Sequence, residues 1–400
     1  MGAAQQQPRP IRPVDSLPVE DVVALYQCLL LGAPTPEQAE SFSATFDECL
    51  GLFGLQPGCD YTVDRGIQAH FSEVTATVAV FFGAEGAEYP EAAVLTRLGV
   101  PVVPVVSAAT RVGAELPASL CNINALISDP ADTVLRRVVS AALQCLGLLP
   151  AQRRVFVSYR REESADVALQ LFEALSARHF DVFLDTHSVS VAAEFQAALW
   201  HRLCDSDVLV MLDTPGYFNS RWTTAEWGRA VAKHISMLQL VWPDHEPSRH
   251  SRLATLKRLS TDNFVTARLS ATVVSDVALE LERVRSRSVA LRHANLVGTL
   301  RTAIEDLGGT VEGVGPKRSV LLKLPSGNPL VVYPVVGVPT SLDVHECVNL
   351  CGAHAAAVVY DHLGISDDWV QHMDWLAQRV GAVKWIRSRE ADWQLADIEL

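Results

Sequence analysis

No apolar run in this chain approaches the ~20 residues that a bilayer crossing requires. Strand-like apolar runs such as Val78 to Phe82 and Val208 to Leu212 fall far short of that length, so no membrane span is expected. The N-terminal stretch carries Arg9 and Arg12 but no apolar core of the kind a secretory signal needs, and glutamine stands at position 6 where a myristoylation motif carries Ser or Thr. Residues 1–16 therefore read as a flexible tail. Basic residues are in the minority, 33 Lys and Arg against 46 Asp and Glu, for a net charge of −13. General attraction to nucleic acid phosphates is not expected to be the business of such a chain. Cysteine is sparse as well: eight are spread over 400 residues, mostly within apolar segments, unlike a disulfide framework. A reducing cytoplasm is the expected location. No Gly-x-Gly-x-x-Gly or Gly-Lys-Ser/Thr phosphate cradle follows a strand, and no serine-hydrolase elbow is present, so dehydrogenase, NTPase and serine-hydrolase readings lack their machinery.

What is present is an ordinary globular composition, 49% hydrophobic and 20% charged, long enough for two or three domains. Residues 17–150 predict an α/β unit that begins with two helices. Thr35-Pro36-Glu37-Gln38 supplies the second helix with a cap, a first-turn proline and a capping-box Gln. A strand at Thr75 to Phe82, a helix at Pro90 to Leu98 and a strand at Val100 to Val106 follow. Continuous apolar strands flanking a helix point to a parallel sheet.

A hinge, Pro150 to Arg154, leads into residues 151–268, where strands at Val155–Tyr159, Val182–Asp185, Val208–Leu212 and Met237–Trp242 alternate with helices near 165–177, 192–203 and 224–234. Strict alternation implies a parallel sheet with right-handed crossovers, and ligands on such sheets bind at the carboxyl ends of the strands. Those ends carry Tyr159, Asp185 and Asp213. Residues 269–400 read as an α+β unit for sensing or assembly: a charged helix from Ala271 through Arg285, another to Leu307, the Gly308-Gly309 stop, and a hairpin turned by Pro325-Ser326-Gly327-Asn328. Further strands are expected at Ala356–Tyr360 and Ala382–Ile386.

Three segments stand in order in the central unit: Val155-Phe156-Val157-Ser158-Tyr159-Arg160-Arg161-Glu162-Glu163-Ser164, then Asp181-Val182-Phe183-Leu184-Asp185, then Ser220-Arg221-Trp222-Thr223-Thr224-Ala225-Glu226-Trp227. This succession resembles a TIR domain over roughly residues 153–268. The first unit, through Gly99 to Val105, Leu116 to Leu120 and Asn124 to Leu126, resembles a degenerate version of the same domain. The resemblance implies a flavodoxin-like parallel sheet and, through the Glu226 of a Trp-x-x-x-Glu element, the bacterial type that cleaves NAD.

Breaking the nicotinamide–ribose bond needs neither metal nor strong nucleophile, because the leaving group is already a cationic pyridinium. It needs a carboxylate beside the oxocarbenium-like ribose, in a place where water is excluded. Glu226 would fill that role and Trp222 would wall the pocket. Ser158, Tyr159 and Arg160 are expected to line the nucleotide site, with Arg160 or Arg161 pairing with pyrophosphate. Asp185 opens the loop that, in the family, completes a neighbouring protomer's site. Ala192 in that loop stands where many bacterial members have glycine, which puts constitutive activity in doubt. Tyr217 is a candidate to stack on a base. The bland alternative is that Thr223 caps the helix and Glu226 closes a capping box, flanked by a Trp222–Trp227 staple.

His345, Cys347, Cys351 and His354 have zinc-ligand types without the usual two-residue Cys spacing, and no metal or cofactor is expected, NAD being the substrate. The expected function is an NAD glycohydrolase or cyclase, controlled by flanking domains, self-association or an activating ligand, by analogy in bacterial antiphage defence. The alternative is a noncatalytic TIR scaffold that assembles with other TIR domains; an N-glycosidase of other nucleotides stands behind it.

Overall fold

A computed structural model describes residues 24–66, 75–86, 89–98, 100–150, 152–184, 192–247, 254–315, 318–352, 354–381 and 383–398. The expected flexible tail, residues 1–16, and Asp185 with the loop to position 191 lie outside them.

The first unit runs β1 (Tyr26–Gly32), α1 (Pro36–Leu52), β2 (Tyr61–Arg65), β3 (Ala76–Phe82), α2 (Pro90–Arg97), β4 (Val102–Val106), α3 (Val112–Glu115), β5 (Leu126–Ile127) and α4 (Arg136–Cys145). The segment expected as a first helix is thus the strand β1. It lies hydrogen-bonded between β2 and β3, and a run buried on both faces shows no alternation that would separate strand from helix. The cap of α1 is as read: Thr35 accepts from the Gln38 amide and Gln38 from the Thr35 amide, with Pro36 in the first turn. All pairings in this sheet are parallel, in the order β2-β1-β3-β4-β5.

The second unit repeats that order. It comprises β6 (Arg154–Ser158), α5 (Arg161–Ser176), β7 (Asp181–Leu184), α6 (Ala192–Asp205), β8 (Val208–Asp213), α7 (Arg221–Ala232), β9 (Ser236–Val241) and β10 (Thr255–Arg258). Its parallel strands lie in the order β10-β9-β8-β6-β7. Both sheets therefore place their first strand between the second and the third. That makes a topological switch point beside the first strand's carboxyl end. In the first sheet the point is closed: Ala33 donates to the Phe82 carbonyl at 2.9 Å. Gly32, at φ +78°, sits so near that a Cβ there would fall 2.1 Å from the Phe82 oxygen.

A two-residue hairpin, β11 (Phe264–Val265) with β12 (Arg268–Leu269), leads to α8 (Ala271–Asp306). The two helices expected here are one, 36 residues long and about 54 Å by the usual rise. Ser270 caps it through the Val273 amide. Its continuity follows from what it buries. Val273, Val277, Leu281 and Val284 enter the core of the second unit, Val289 and Ala290 that of the first, and Leu300, Ala303 and Ile304 that of the third. One helix thus carries apolar faces for three cores.

The third unit adds β13 (Thr310–Val314), β14 (Val320–Lys323), β15 (Pro329–Val335), α9 (Ser341–Leu350), β16 (Ala355–Tyr360), α10 (Asp367–Val380), β17 (Val383–Arg387) and α11 (Ala391–Ala396). The sheet is mixed: β13, β14 and β15 pair antiparallel, then β15, β16 and β17 parallel. The hairpin expected across Pro325 to Asn328 joins β14 to β15. Cys347, among the considered zinc ligands, is buried with Tyr333, Val344 and Val358, and Cys351 packs on the same cluster. Among the described residues, no helix is long and apolar enough to cross a membrane.

Where the units meet, α8 supplies charge. Arg285, with no exposed surface, donates from Nε to Asp207 at 2.7 Å and from Nη2 to the Pro150 carbonyl at 2.6 Å. Arg292 donates to the carbonyls of Ser206 and Cys204 at 2.8 and 2.9 Å. Glu282 pairs with Arg153 and accepts from Ser140 at 3.0 Å. These bonds tie the 150–154 hinge and the start of β8 to the middle of α8.

Candidate active site

At the switch point of the second sheet, the segments after β6 and after β8 diverge around an open cleft of about 300 Å³. Tyr159, Arg160, Arg161 and Glu162 line one side, and Asn219, Ser220, Trp222 and Thr223 the other. Four of the residues expected from sequence, Tyr159, Arg160, Arg161 and Trp222, thus share this cleft. Ser158, Tyr217 and Glu226 form a buried group behind it, none of them with exposed surface.

That group is linked by hydrogen bonds. Ser158 Oγ donates to Glu226 Oε2 in a short contact, and the same oxygen lies 2.6 Å from the Tyr217 hydroxyl. Since a serine has one hydroxyl proton, Tyr217 must donate to Ser158. Glu226 is therefore an oriented carboxylate reached by a two-hydroxyl relay. Tyr217, expected as a stacking surface for a base, is instead packed edge-on against Phe218, with ring centroids 5.0 Å apart, and has no exposed face.

The capping-box explanation of Glu226 does not hold. The cap of α7 is Ser220, whose Oγ accepts from the Trp222 amide at 3.3 Å, so Thr223 occupies the third helical position and Glu226 lies a turn further in. Thr223 Oγ donates back to the Tyr217 carbonyl, closing the turn before the helix. Serine three residues ahead of the expected cap was the available signal; a run of Ser, Thr and Thr left the choice open.

Arg160 is already engaged. It donates to Glu162 at 2.6 Å, to Glu163 at 2.9 Å and to the Gly216 carbonyl at 3.3 Å, while Glu163 accepts from the Gly216 amide at 3.0 Å. The side chains of Arg160 and Glu163 close over Gly216 so tightly that a Cβ there would lie 1.7 Å from the Arg160 guanidinium and would push both side chains aside. Nothing in the local sequence announces that contact. The first turn of α5, which holds Arg161 to Glu163, is set off from the helix body by the non-helical Ser164 (φ −143°). The expected helix start near Ala165 corresponds to that body. Arg161 is exposed at the rim, and Arg221 lies over the Trp222 ring, 4.7 Å from its centroid.

At the neighbouring end of β8, Asp213 is fully buried, accepting from Gln239 at 2.6 Å and facing His245 Nε2 at 3.3 Å. Burial pushes its carboxyl above the ordinary aspartate range, partly offset by Gln239 and His245. The cleft offers an arginine-bearing rim, an aromatic wall and a buried carboxylate behind it. Among the described residues, no cluster of His, Cys, Asp and Glu suited to a metal ion occurs.

Residues 155–270 match the family described as TIR domain. No curated protein matches the chain. Among solved structures, it is similar to tagatose-6-phosphate ketose/aldose isomerase from Escherichia coli at 10% identity, covering 74% of this chain and 84% of that one with a TM-score of 0.21. It is also similar to the C-terminal domain of glucosamine-fructose-6-phosphate aminotransferase from Francisella tularensis, at 10% identity, 67% and 85% coverage and a TM-score of 0.20. Likeness at that level carries no argument here. The parallel sheet, its strand order and the family match agree on one statement: residues 155–270 form a TIR domain.

Proposed function

We propose that the central domain cleaves the nicotinamide–ribose bond of NAD, with Glu226 as the carboxylate beside the developing oxocarbenium ion. The observation that carries this reading is the Ser158–Glu226 hydrogen bond at the switch point, which holds a buried carboxylate away from any capping role. In a site shielded from water a fixed negative charge stabilises a cationic ribose far more than it does in solvent. Trp222 and Tyr159 would flank the nucleotide. Arg161, at the rim, is the better partner for pyrophosphate, because the Arg160 guanidinium is occupied by two carboxylates and a carbonyl.

The burial of Glu226 implies that this chain is in a resting state, and that turnover requires the Tyr217–Ser158 side of the group to move. Control by the flanking units, by self-association through TIR domains or by an activating ligand follows from that. Control of this kind suits a role in bacterial antiphage defence, and a cytoplasmic location suits access to NAD. The first unit, with its switch point closed at Gly32, is read as a noncatalytic, degenerate TIR-like partner.

A noncatalytic scaffold is the second reading, favoured by the same lack of exposure at Glu226. The deciding experiment is NAD content after induced expression in a bacterial host, wild type against Glu226→Gln at equal protein level. Loss of NAD in the wild type alone is expected. Unchanged NAD in both, persisting when assembly is enforced, would leave the scaffold.

A further inference from the structure

A second cleft, about 180 Å³, lies where the third unit meets α7 and α8. One wall is formed by the carboxyl ends of the parallel strands: Val335 ends β15, Asp361 follows β16, and Ser388 and Arg389 follow β17. This is the side of a parallel sheet on which ligands bind. Lys233 and His234, just past the end of α7, and Arg292 of α8 form the other wall.

The charge balance here is opposite to that of the chain. Lys233 is buried and bonds Asp361 twice, to Oδ2 at 2.8 Å and to the carbonyl at 3.0 Å. Arg292 is buried and donates to two neutral carbonyls, with the carboxylates of Asp207, Asp361 and Asp205 acting on it through space. Arg389 reaches from the exposed side, its Nε 3.9 Å from Asp361 Oδ1. Lys233, Arg292 and Arg389 thus line the cleft with Asp361 as the one carboxylate among its lining residues, in a chain whose net charge is −13, and burial works against the charge of Lys233 and of Arg292. Cations held at low dielectric with too few carboxylates are best compensated by an anion, and guanidinium with ammonium suits phosphate oxygens. The volume is below that of common ligand pockets, which limits the rest of the molecule to about the size of a sugar.

We propose that this cleft binds a small phosphate-bearing ligand, and that its occupancy is relayed along α7 to Glu226. The relay, unlike the binding, rests on the reading of Glu226 given above. Lys233 follows Glu226 by seven positions, about 10 Å along the helix, so a ligand that draws Lys233 from Asp361 pulls on the end of the element that carries the carboxylate. Asp361 belongs to the third unit, and the same displacement would loosen that unit's hold on the TIR domain.

The test uses ribose 5-phosphate as the probe on the full chain, by calorimetry at matched ionic strength. Binding of one equivalent is expected in the wild type and in Arg161→Glu, which alters only the first cleft. In Arg389→Glu, an exposed substitution, affinity should fall at least tenfold. No binding to the wild type, or an affinity unchanged in Arg389→Glu, overturns the site. Hydrogen exchange of residues 221–232 reads the relay without any turnover: the probe should change it in the wild type and not in Arg389→Glu. Binding that leaves this exchange unchanged overturns the relay alone, and neither outcome depends on whether NAD is cleaved.

Discussion

Ser158 donates its hydroxyl to the carboxylate of Glu226 across a sequence separation of 68 positions, from the end of β6 to the second turn of α7. Neither residue has exposed surface, and Tyr217 stands behind Ser158 in the same chain of hydroxyls. Ser158→Ala should therefore lower stability by about 1–3 kcal/mol, the cost of depriving a buried acceptor of its donor. NAD turnover should fall without vanishing, because the carboxylate remains. Tyr217→Phe, which leaves Ser158 in place, should have the smaller effect on both. Chemical denaturation and NAD consumption by the purified chain would check the order.

Arg285 and Asp207 are a buried ion pair, and the same guanidinium also holds the Pro150 and Gln152 carbonyls. Arg285→Ala leaves Asp207 without its counter-charge and is expected to cost about 3–5 kcal/mol. A urea midpoint that moves by much less would mean that the arginine's bonds to Pro150 and Gln152 are not part of the folded state in solution.

The long α8 should make unfolding cooperative across the units, since one helix contributes to three cores. Leu291→Pro, at an exposed position between the stretches that serve different cores, removes a helix hydrogen bond and should cost about 3 kcal/mol or more. Calorimetry is expected to show one transition in the wild type and two in the variant.

His293 on α8 is 8% exposed, and burial, aided by the nearby Arg318 charge, pushes its pKa down from 6.5 to about 3. The unfolded chain thus binds a proton that the folded chain refuses between those values. The stabilisation is complete above pH 6.5 and is lost as pH falls toward 3, by about 1.4 kcal/mol per pH unit. His293→Leu should reduce the acid slope of unfolding free energy by one proton, measured by urea titration between pH 7.5 and 4.5.

Local chemistry was legible where it was self-contained. The Thr35–Gln38 capping box, the Pro325–Asn328 hairpin and the strands of the central sheet follow from neighbours in sequence. Two errors share a cause. Strand β1 reads as a helix because a run buried on both faces has no telling period, and α8 reads as two helices because no single apolar stripe runs its length. A helix that serves three cores in turn presents a different face to each.

The order of apolar strands and polar strand ends determined the α/β architecture of the central domain and the position of Glu226 on the helix after its third strand, since both depend on spacing along the chain. Tertiary structure alone decided that Ser220 caps that helix, that Tyr217 turns inward to Ser158, and that Arg160 is held by Glu163 against Gly216. It also decided that Lys233 meets Asp361 across 128 positions. Each of these is a contact between side chains far apart in sequence or a choice among adjacent hydroxyls, and such choices are settled by close packing rather than by local pattern.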